Sequence, residues 1–276
     1  MDESVKCLYA VILGLIQGVA EFLPVSSSAH LLLLSKLTHA EYFGKAFDVA
    51  LHGATLMALL INKRDLCLRT LTALRDYFLR SGAEIRAGRL PKARDSFEAL
   101  GLAALICTLP TALLGFFLEY RVEKYFHSLV WIAAFLSLFA AVMYAADKSG
   151  KNGELTALGP GSFLKLGFMQ ALALFPGVSR SGAVLAGARF MNLGRGEAYA
   201  LSLVTAVPVV GGAFAVKLMK GLEAAPSDWQ YIFLGGCAAF VSGLFCISFA
   251  ERLVGRFGLT PFVIYRCLLS LALLGL

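Results

Sequence analysis

The chain has 276 residues, 58% of them hydrophobic and 16% charged, with a formal net charge of +7 and a mean hydropathy of +0.74. Soluble domains carry about 25% charged residues, so the composition excludes an ordinary water-soluble enzyme and indicates an all-α integral membrane protein. The basic excess reads as a topology signal with anionic lipid headgroups as neighbours, not as a nucleic-acid footprint.

The first thirty residues hold Lys6, an apolar run at 11–16 and small residues at 26–29, a pattern close to a secretory signal. Asp2 and Glu3 oppose a basic start, and the segment is read as part of a single membrane domain over 1–276. Residues 47–61 form a short span that holds Asp48 and His52 and stops at Asn62, Lys63 and Arg64. Between 62 and 96, nine basic residues face four acids, so this basic loop is expected in the cytoplasm. Residues 99–118, 129–146, 198–216 and 229–250 contain no charge and are long enough to cross a hydrocarbon core of about 30 Å. Residues 257–276 make a last span broken only by Arg266, which is read as structural and snorkelling. Six full spans result. From the cytoplasmic anchor, 119–124 and 220–228 fall outside with both termini, and 147–165 and 251–256 fall inside. The six cysteines form no CxxC and are read as reduced core residues.

One sequence is written twice. GLIQGVAEFLPVSSS at 14–28 returns as GFMQALALFPGVSRS at 167–181, a constant offset of 153 with seven identities: Gly14, Gln17, Ala20, Phe22, Val25, Ser26 and Ser28 against Gly167, Gln170, Ala173, Phe175, Val178, Ser179 and Ser181. Roughly one identity is expected by chance, so the pattern is an internal duplication. Ala46-Phe47 against Ala198-Tyr199 adds a second match. Apolar segments interrupted by Gly and Pro at equivalent places of two halves point to a binding site. Three spans separate the copies, so two segments that each dip in and return enter from opposite faces. The expected fold is therefore two inverted-topology repeats, about 1–146 and 160–276, each a re-entrant helix-loop-helix plus three transmembrane helices. The loop tips meet near the midplane, and Gly14 and Gly167 are read as close-packing sites.

The polar residues gather at those tips. Only copy one has Glu21 and His30; only copy two has Arg180, in the place of Ser27. Ser26, Ser27 and Ser28 would face Ser179, Arg180 and Ser181, with Gly177 on the approach. An Arg among hydroxyls, at the positive ends of two helices, suits a phosphate or another oxyanion. Glu21, at helical spacing from Gln17, could hold a divalent cation such as Mg²⁺ or Ca²⁺, or act as a base. Ser27 is the candidate nucleophile and His30 a proton carrier. Ser26 and Ser28 read either as pocket hydroxyls or as helix caps. Asp48 and His52 stand evenly between support of the site and polar packing.

These residues resemble the integral-membrane undecaprenyl-diphosphate phosphatases, the bacitracin-resistance proteins, over essentially the whole chain. The resemblance rests on Gln17 to Glu21, matching (E/Q)xxxE, on the Leu-Pro-Val-Ser-Ser run ending at His30, and on Pro176-Gly177-Val178-Ser179-Arg180-Ser181. Ala206-Val207-Pro208 and Pro261-Phe262 with Tyr265-Arg266 add weaker support. It implies removal of the terminal phosphate from a C55 isoprenyl diphosphate in the bacterial inner membrane, regenerating the lipid carrier for cell-wall glycans. It also favours a site facing the periplasm, and leaves a homodimer open. Two departures stand out: Val184 where the family usually has Thr, and Gln17 where many members have Glu. Attack by Ser27 on phosphorus, with Arg180, Ser179 and Ser181 holding oxygens, is the favoured scheme; a phosphohistidine at His30 is the second. The competing class is a transporter or flippase for a polyprenyl phosphate or other anionic lipid, because inverted repeats are a transporter architecture.

Overall fold

The computed structural model describes residues 2–38, 43–87, 91–219 and 229–275, and the regular secondary structure among these is helical but for one isolated bridge between Gly153 and Leu193. Helices in chain order are α1 (Glu3–Phe22), α2 (Ser27–Thr38), α3 (Lys45–Asn62), α4 (Arg64–Arg86), α5 (Ser96–Phe126), α6 (Leu129–Ser149), α7 (Pro160–Ala171), α8 (Arg180–Phe190), α9 (Arg195–Met219), α10 (Trp229–Phe257) and α11 (Thr260–Leu274). Side-chain oxygens accept the orphan N–H groups at several starts: Asp2 for α1, Asp95 for α5 and Ser128 for α6. Pro160 opens α7, where a missing N–H costs nothing.

Five helices (α1, α5, α6, α9 and α10) are long and apolar enough to cross a membrane. That set differs from the six expected spans. The apolar pattern of copy one runs back to Val5, so α1 reaches 20 residues and joins the set by its length and composition. Residues 47–61 and 257–276 become α3, of 18 residues, and α11, of 15, which fall outside the set. The basic stretch 62–96 is not an open loop either. Most of it is α4, tied to α5 where Arg80 donates to Glu84 (2.8 Å) and Glu98 (2.7 Å) and Arg94 donates to Glu84 (3.0 Å). The Arg80 hydrogen bond, aided by both guanidinium charges, holds the Glu84 carboxyl below its ordinary range. Arg89 and the expected external stretch 220–228 lie outside the described residues.

The two copies of the duplicated sequence pack alike. α1 lies along α10 in the same sense, because Gln230 donates to Glu3 at one end (2.9 Å) and Cys246 donates to the Val19 carbonyl further on (3.3 Å). Gly14 makes this approach possible: a Cβ there would sit 2.1 Å from the Gly235 carbonyl oxygen. α7 lies along α5 in the same way, with a Cβ on Gly167 only 2.7 Å from the Cys107 carbonyl oxygen and Gln170 donating to Thr111 (3.1 Å). Both glycines are thus close-packing sites, as the sequence suggests. Val19 reaches the level of Cys246 and Leu174 that of Gly115, while α10 and α5 continue to Phe257 and Phe126, roughly 16 Å further at 1.5 Å per residue.

α3 relates the two arms. Its first residue, Lys45, pairs with Glu123 near the end of α5 (3.1 Å), and Lys63, just past its last turn, pairs with Glu251 near the end of α10. α5 and α10 therefore run in opposite senses along α3. α6 packs on α11 through a Ser137–Ser270 hydrogen bond of 2.8 Å. Phe47 is buried beside Gly235, and Tyr199 is buried with its hydroxyl on the Ile247 carbonyl (3.2 Å). The cysteines correct the expectation of a uniform core. Cys107 and Cys246 are buried, Cys7 and Cys67 half-buried, and Cys237 and Cys267 exposed. In a chain of membrane helices an apolar run turns one side outward, so an apolar neighbourhood in sequence does not imply burial.

Candidate active site

Each duplicated loop turns on a serine held at positive φ, Ser26 at 74° and Ser179 at 73°. A non-glycine residue held there costs about 1–3 kcal/mol and persists only where its surroundings enforce it. The consequence is the same twice. Ser26 and Ser28 hydroxyls lie 3.1 Å apart, Ser179 and Ser181 hydroxyls 3.2 Å apart, and the chain then enters α2 or α8 with its N-terminal end at the loop. Ser179 Oγ also accepts from the Gly182 N–H. Gly177, at φ 101°, is needed for a further reason: a Cβ there would lie 2.6 Å from the Ile132 carbonyl oxygen.

The loops touch. Ser181 donates to the Leu23 carbonyl (3.2 Å), and Arg180 reaches Glu21 (3.5 Å) while donating to the Ser202 carbonyl (2.8 Å). Arg266 binds both tips. It is fully buried and donates to the carbonyls of Pro24 (3.3 Å), Gly177 (2.7 Å) and Leu136 (3.3 Å). The snorkelling expected of it is wrong, because loop carbonyls with no helical partner supply the acceptors that water would otherwise offer. Gly177 accordingly turns its carbonyl to Arg266.

Glu21 is the hub. Its carboxylate accepts from Gln17 Nε2 (3.2 Å) and Ser27 Oγ (3.4 Å), and lies 3.8 Å from His52 Nε2 and 3.5 Å from Arg180. Its side chain is 10% exposed and that of Arg180 11%. His30 points elsewhere. Its Nδ1 donates to the Ser26 carbonyl (2.7 Å), which leaves Nε2 of the neutral ring to accept from the Tyr265 hydroxyl (2.6 Å), and the two rings stack. The geometry thus joins Ser27 to Glu21 and Arg180, and places His30 behind the loop with Tyr265.

Gln17 Oε1 and Arg180 Nε are buried without a partner among the described residues. Both belong to the cluster, and an incoming group with one donor and one acceptor face could satisfy them. No group of three His, Cys, Asp or Glu side chains gathers among the described residues. A cation would therefore have one carboxylate, an amide oxygen and hydroxyls. That suits an ion held mainly by substrate phosphates better than one caged by protein. Sequence reasoning left His52 undecided and gave Tyr265 and Ser202 no role. The Tyr265-Arg266 pair was the available signal for two of the contacts found. Val184 is fully buried in the apolar core, so the absent hydroxyl leaves no polar gap.

Comparison with known proteins matches residues 10–272 to the family model described as bacitracin resistance protein BacA. Undecaprenyl-diphosphatase of Alcanivorax borkumensis is 36% identical over 267 residues, covering 96% of this chain and 97% of that protein. Undecaprenyl-diphosphatases of Thermomicrobium roseum and Chromohalobacter salexigens are each 36% identical as well, covering 96% of both chains in the first case and 97% in the second.

Proposed function

The chain belongs to the bacitracin resistance protein BacA family, and from that membership we propose how its site performs the activity its relatives are named for. It is an undecaprenyl-diphosphatase, a membrane hydrolase that releases the terminal phosphate of undecaprenyl diphosphate. The observation that carries the mechanism is the contact chain Ser27–Glu21–Arg180. Ser27 Oγ attacks the terminal phosphorus and gives its proton to Glu21. The bond from phosphorus to the bridging oxygen breaks, and the lipid monophosphate leaves. Water then attacks the phosphoserine, releasing inorganic phosphate and restoring the Ser27 hydroxyl. Arg180, with the Ser179, Ser181, Ser26 and Ser28 hydroxyls and the N-terminal ends of α2 and α8, holds the phosphate oxygens as charge shifts onto them. The 3.4 and 3.5 Å contacts are long for hydrogen bonds and are of the kind that tighten when substrate arrives.

Glu21 and Gln17 are the residues that would hold Mg²⁺ or Ca²⁺ together with the diphosphate. Such an ion neutralises charge on the leaving group. The two halves are inverted repeats in the bacterial inner membrane, with residues 62–96 cytoplasmic and the site open to the periplasm. Support comes from the opposite senses of α5 and α10, along which α7 and α1 lie, and from the equal reach of the two arms. Inverted repeats also suit a flippase, and one measurement separates the readings. Purified protein in detergent should release inorganic phosphate from undecaprenyl diphosphate. Vesicle protein that moves the lipid while releasing none would sink the hydrolase mechanism.

A further inference from the structure

α4 does not pack like a transmembrane helix. Arg69 lies 5.8 Å from the Phe97 ring, Leu74 fills the space over Gly101, and Arg80 donates to Glu98 at 2.7 Å. These α4 positions extend over about 16 Å of helix, yet their partners occupy only about 6 Å of α5 at 1.5 Å per residue. α4 therefore crosses α5 at a steep angle, at the start of the uncharged stretch 99–118. With α5 spanning the membrane, α4 lies in the plane of its surface.

At 100° per residue α4 has three faces. One carries Leu66, Thr70, Leu74, Tyr77 and Ser81 and turns to α5, with Thr70 and Ser81 buried. A second carries Asp65, Arg69 and Asp76. The third, about 120° wide by the same wheel, carries Leu68, Leu71, Phe78, Leu79 and Ile85, exposed by 55–73%. Eight of the 23 residues are charged, five of them Arg, and helices with such composition do not span bilayers. Arg64, Arg75 and Arg86 fall within the same sector of the wheel, interrupting the apolar stripe at its start, middle and end. A long basic stem between exposed apolar residues matches a headgroup–acyl boundary, where the stem lies in the acyl region and the guanidinium reaches phosphate.

We propose that α4 is a membrane-surface helix whose apolar stripe enters the headgroup–acyl boundary and whose Arg64, Arg75 and Arg86 bind anionic phospholipid headgroups. It anchors the start of α5 at a fixed depth, and anionic lipids are its partner by charge complementarity.

The test uses the full-length protein reconstituted in vesicles, with Trp131→Phe and Trp229→Phe making a new tryptophan the only one. Phe78→Trp probes the stripe, Leu71→Trp repeats the probe should the first fail to fold, and Arg69→Trp probes the polar face. Brominated lipid should quench Phe78→Trp by more than half while iodide quenches it little, and Arg69→Trp should show the opposite. Brominated phosphatidylglycerol should quench the stripe at least twofold better than brominated phosphatidylcholine at low salt, and Arg64→Gln/Arg75→Gln/Arg86→Gln should remove that preference. Strong iodide quenching on the stripe would overturn the proposal. So would protection from both quenchers, which would mean that protein covers the face. Equal quenching by the two lipids would remove the anionic partner.

Discussion

At the residue scale the site turns on which group accepts the Ser27 proton. Ser27 faces Glu21, whereas both ring nitrogens of His30 are engaged by the Ser26 carbonyl and Tyr265. Ser27→Ala should lose at least a hundredfold in turnover with substrate binding retained, because the attacking oxygen is gone. Ser26→Ala and Ser28→Ala should lose tenfold at most, the equivalent of one hydrogen bond of about 0.5–1.5 kcal/mol. A phosphate-release assay beside lipid-binding measurements decides this; an active Ser27→Ala with a dead His30→Ala would transfer the nucleophile to histidine. Arg180 gives a second prediction. One of its nitrogens is committed to the Ser202 carbonyl and another to Glu21, so the planar fork is used twice. Arg180→Lys keeps the charge but loses the fork, and turnover should fall at least tenfold with an unchanged melting temperature. Wild-type turnover in this variant would remove Arg180 as the clamp.

At the scale of elements, two short helices after two tight loops need a common anchor, and α11 provides it. Arg266 reaches from α11 to Pro24 on one loop and Gly177 on the other. Arg266→Met strips donors from two loop carbonyls. At about 1–3 kcal/mol for each unsatisfied buried group, it should destabilise the protein by roughly 2–6 kcal/mol. Arg266→Lys, which cannot span three acceptors from one plane, should fold but show lower kcat, because the Ser27 and Arg180 loops are no longer held in register. Thermal unfolding of the first variant and kinetics of the second test the tie. A wild-type melting temperature for Arg266→Met would show that the loops hold themselves.

At the scale of the whole molecule, the opposite senses of α5 and α10 along α3 fix which helix ends share a side. Lys45, Glu123, Glu119 and Lys217 cluster at one end through ion pairs of 3.1 and 3.8 Å. Asp147 and Arg195, bonded twice at 2.9 Å, mark the other end together with Lys63 and Glu251. A Glu123→Cys variant should therefore react with a membrane-impermeant thiol reagent in intact cells, and Arg86→Cys should react only after permeabilisation. The exposed Cys237 and Cys267 must first be replaced. Breaking the exposed Lys45–Glu123 pair costs little, so Glu123→Cys reports position and not damage. The reverse labelling pattern would turn the molecule over and put the arm of α1 in the cytoplasm.

What the sequence alone determined follows from local rules. A 153-residue offset with seven identities reappears as two loops with serines at φ 74° and 73°, and both loops carry the same Val-Ser-x-Ser run, 25–28 and 178–181, at the turn. Charge-free runs marked four of the long helices, and the residues of Glu21, Ser27 and Arg180 were legible as rare polar groups in apolar surroundings. The tertiary structure decided everything that depends on direction. It turned His30 toward Tyr265, brought His52 to Glu21, buried Arg266 between the loops and laid the basic stretch down as α4. Spacing along a chain states which residues can share a helix face. It does not state which acceptor a long side chain finds across 130 or 242 positions of sequence, as Arg266 does with Leu136 and Pro24.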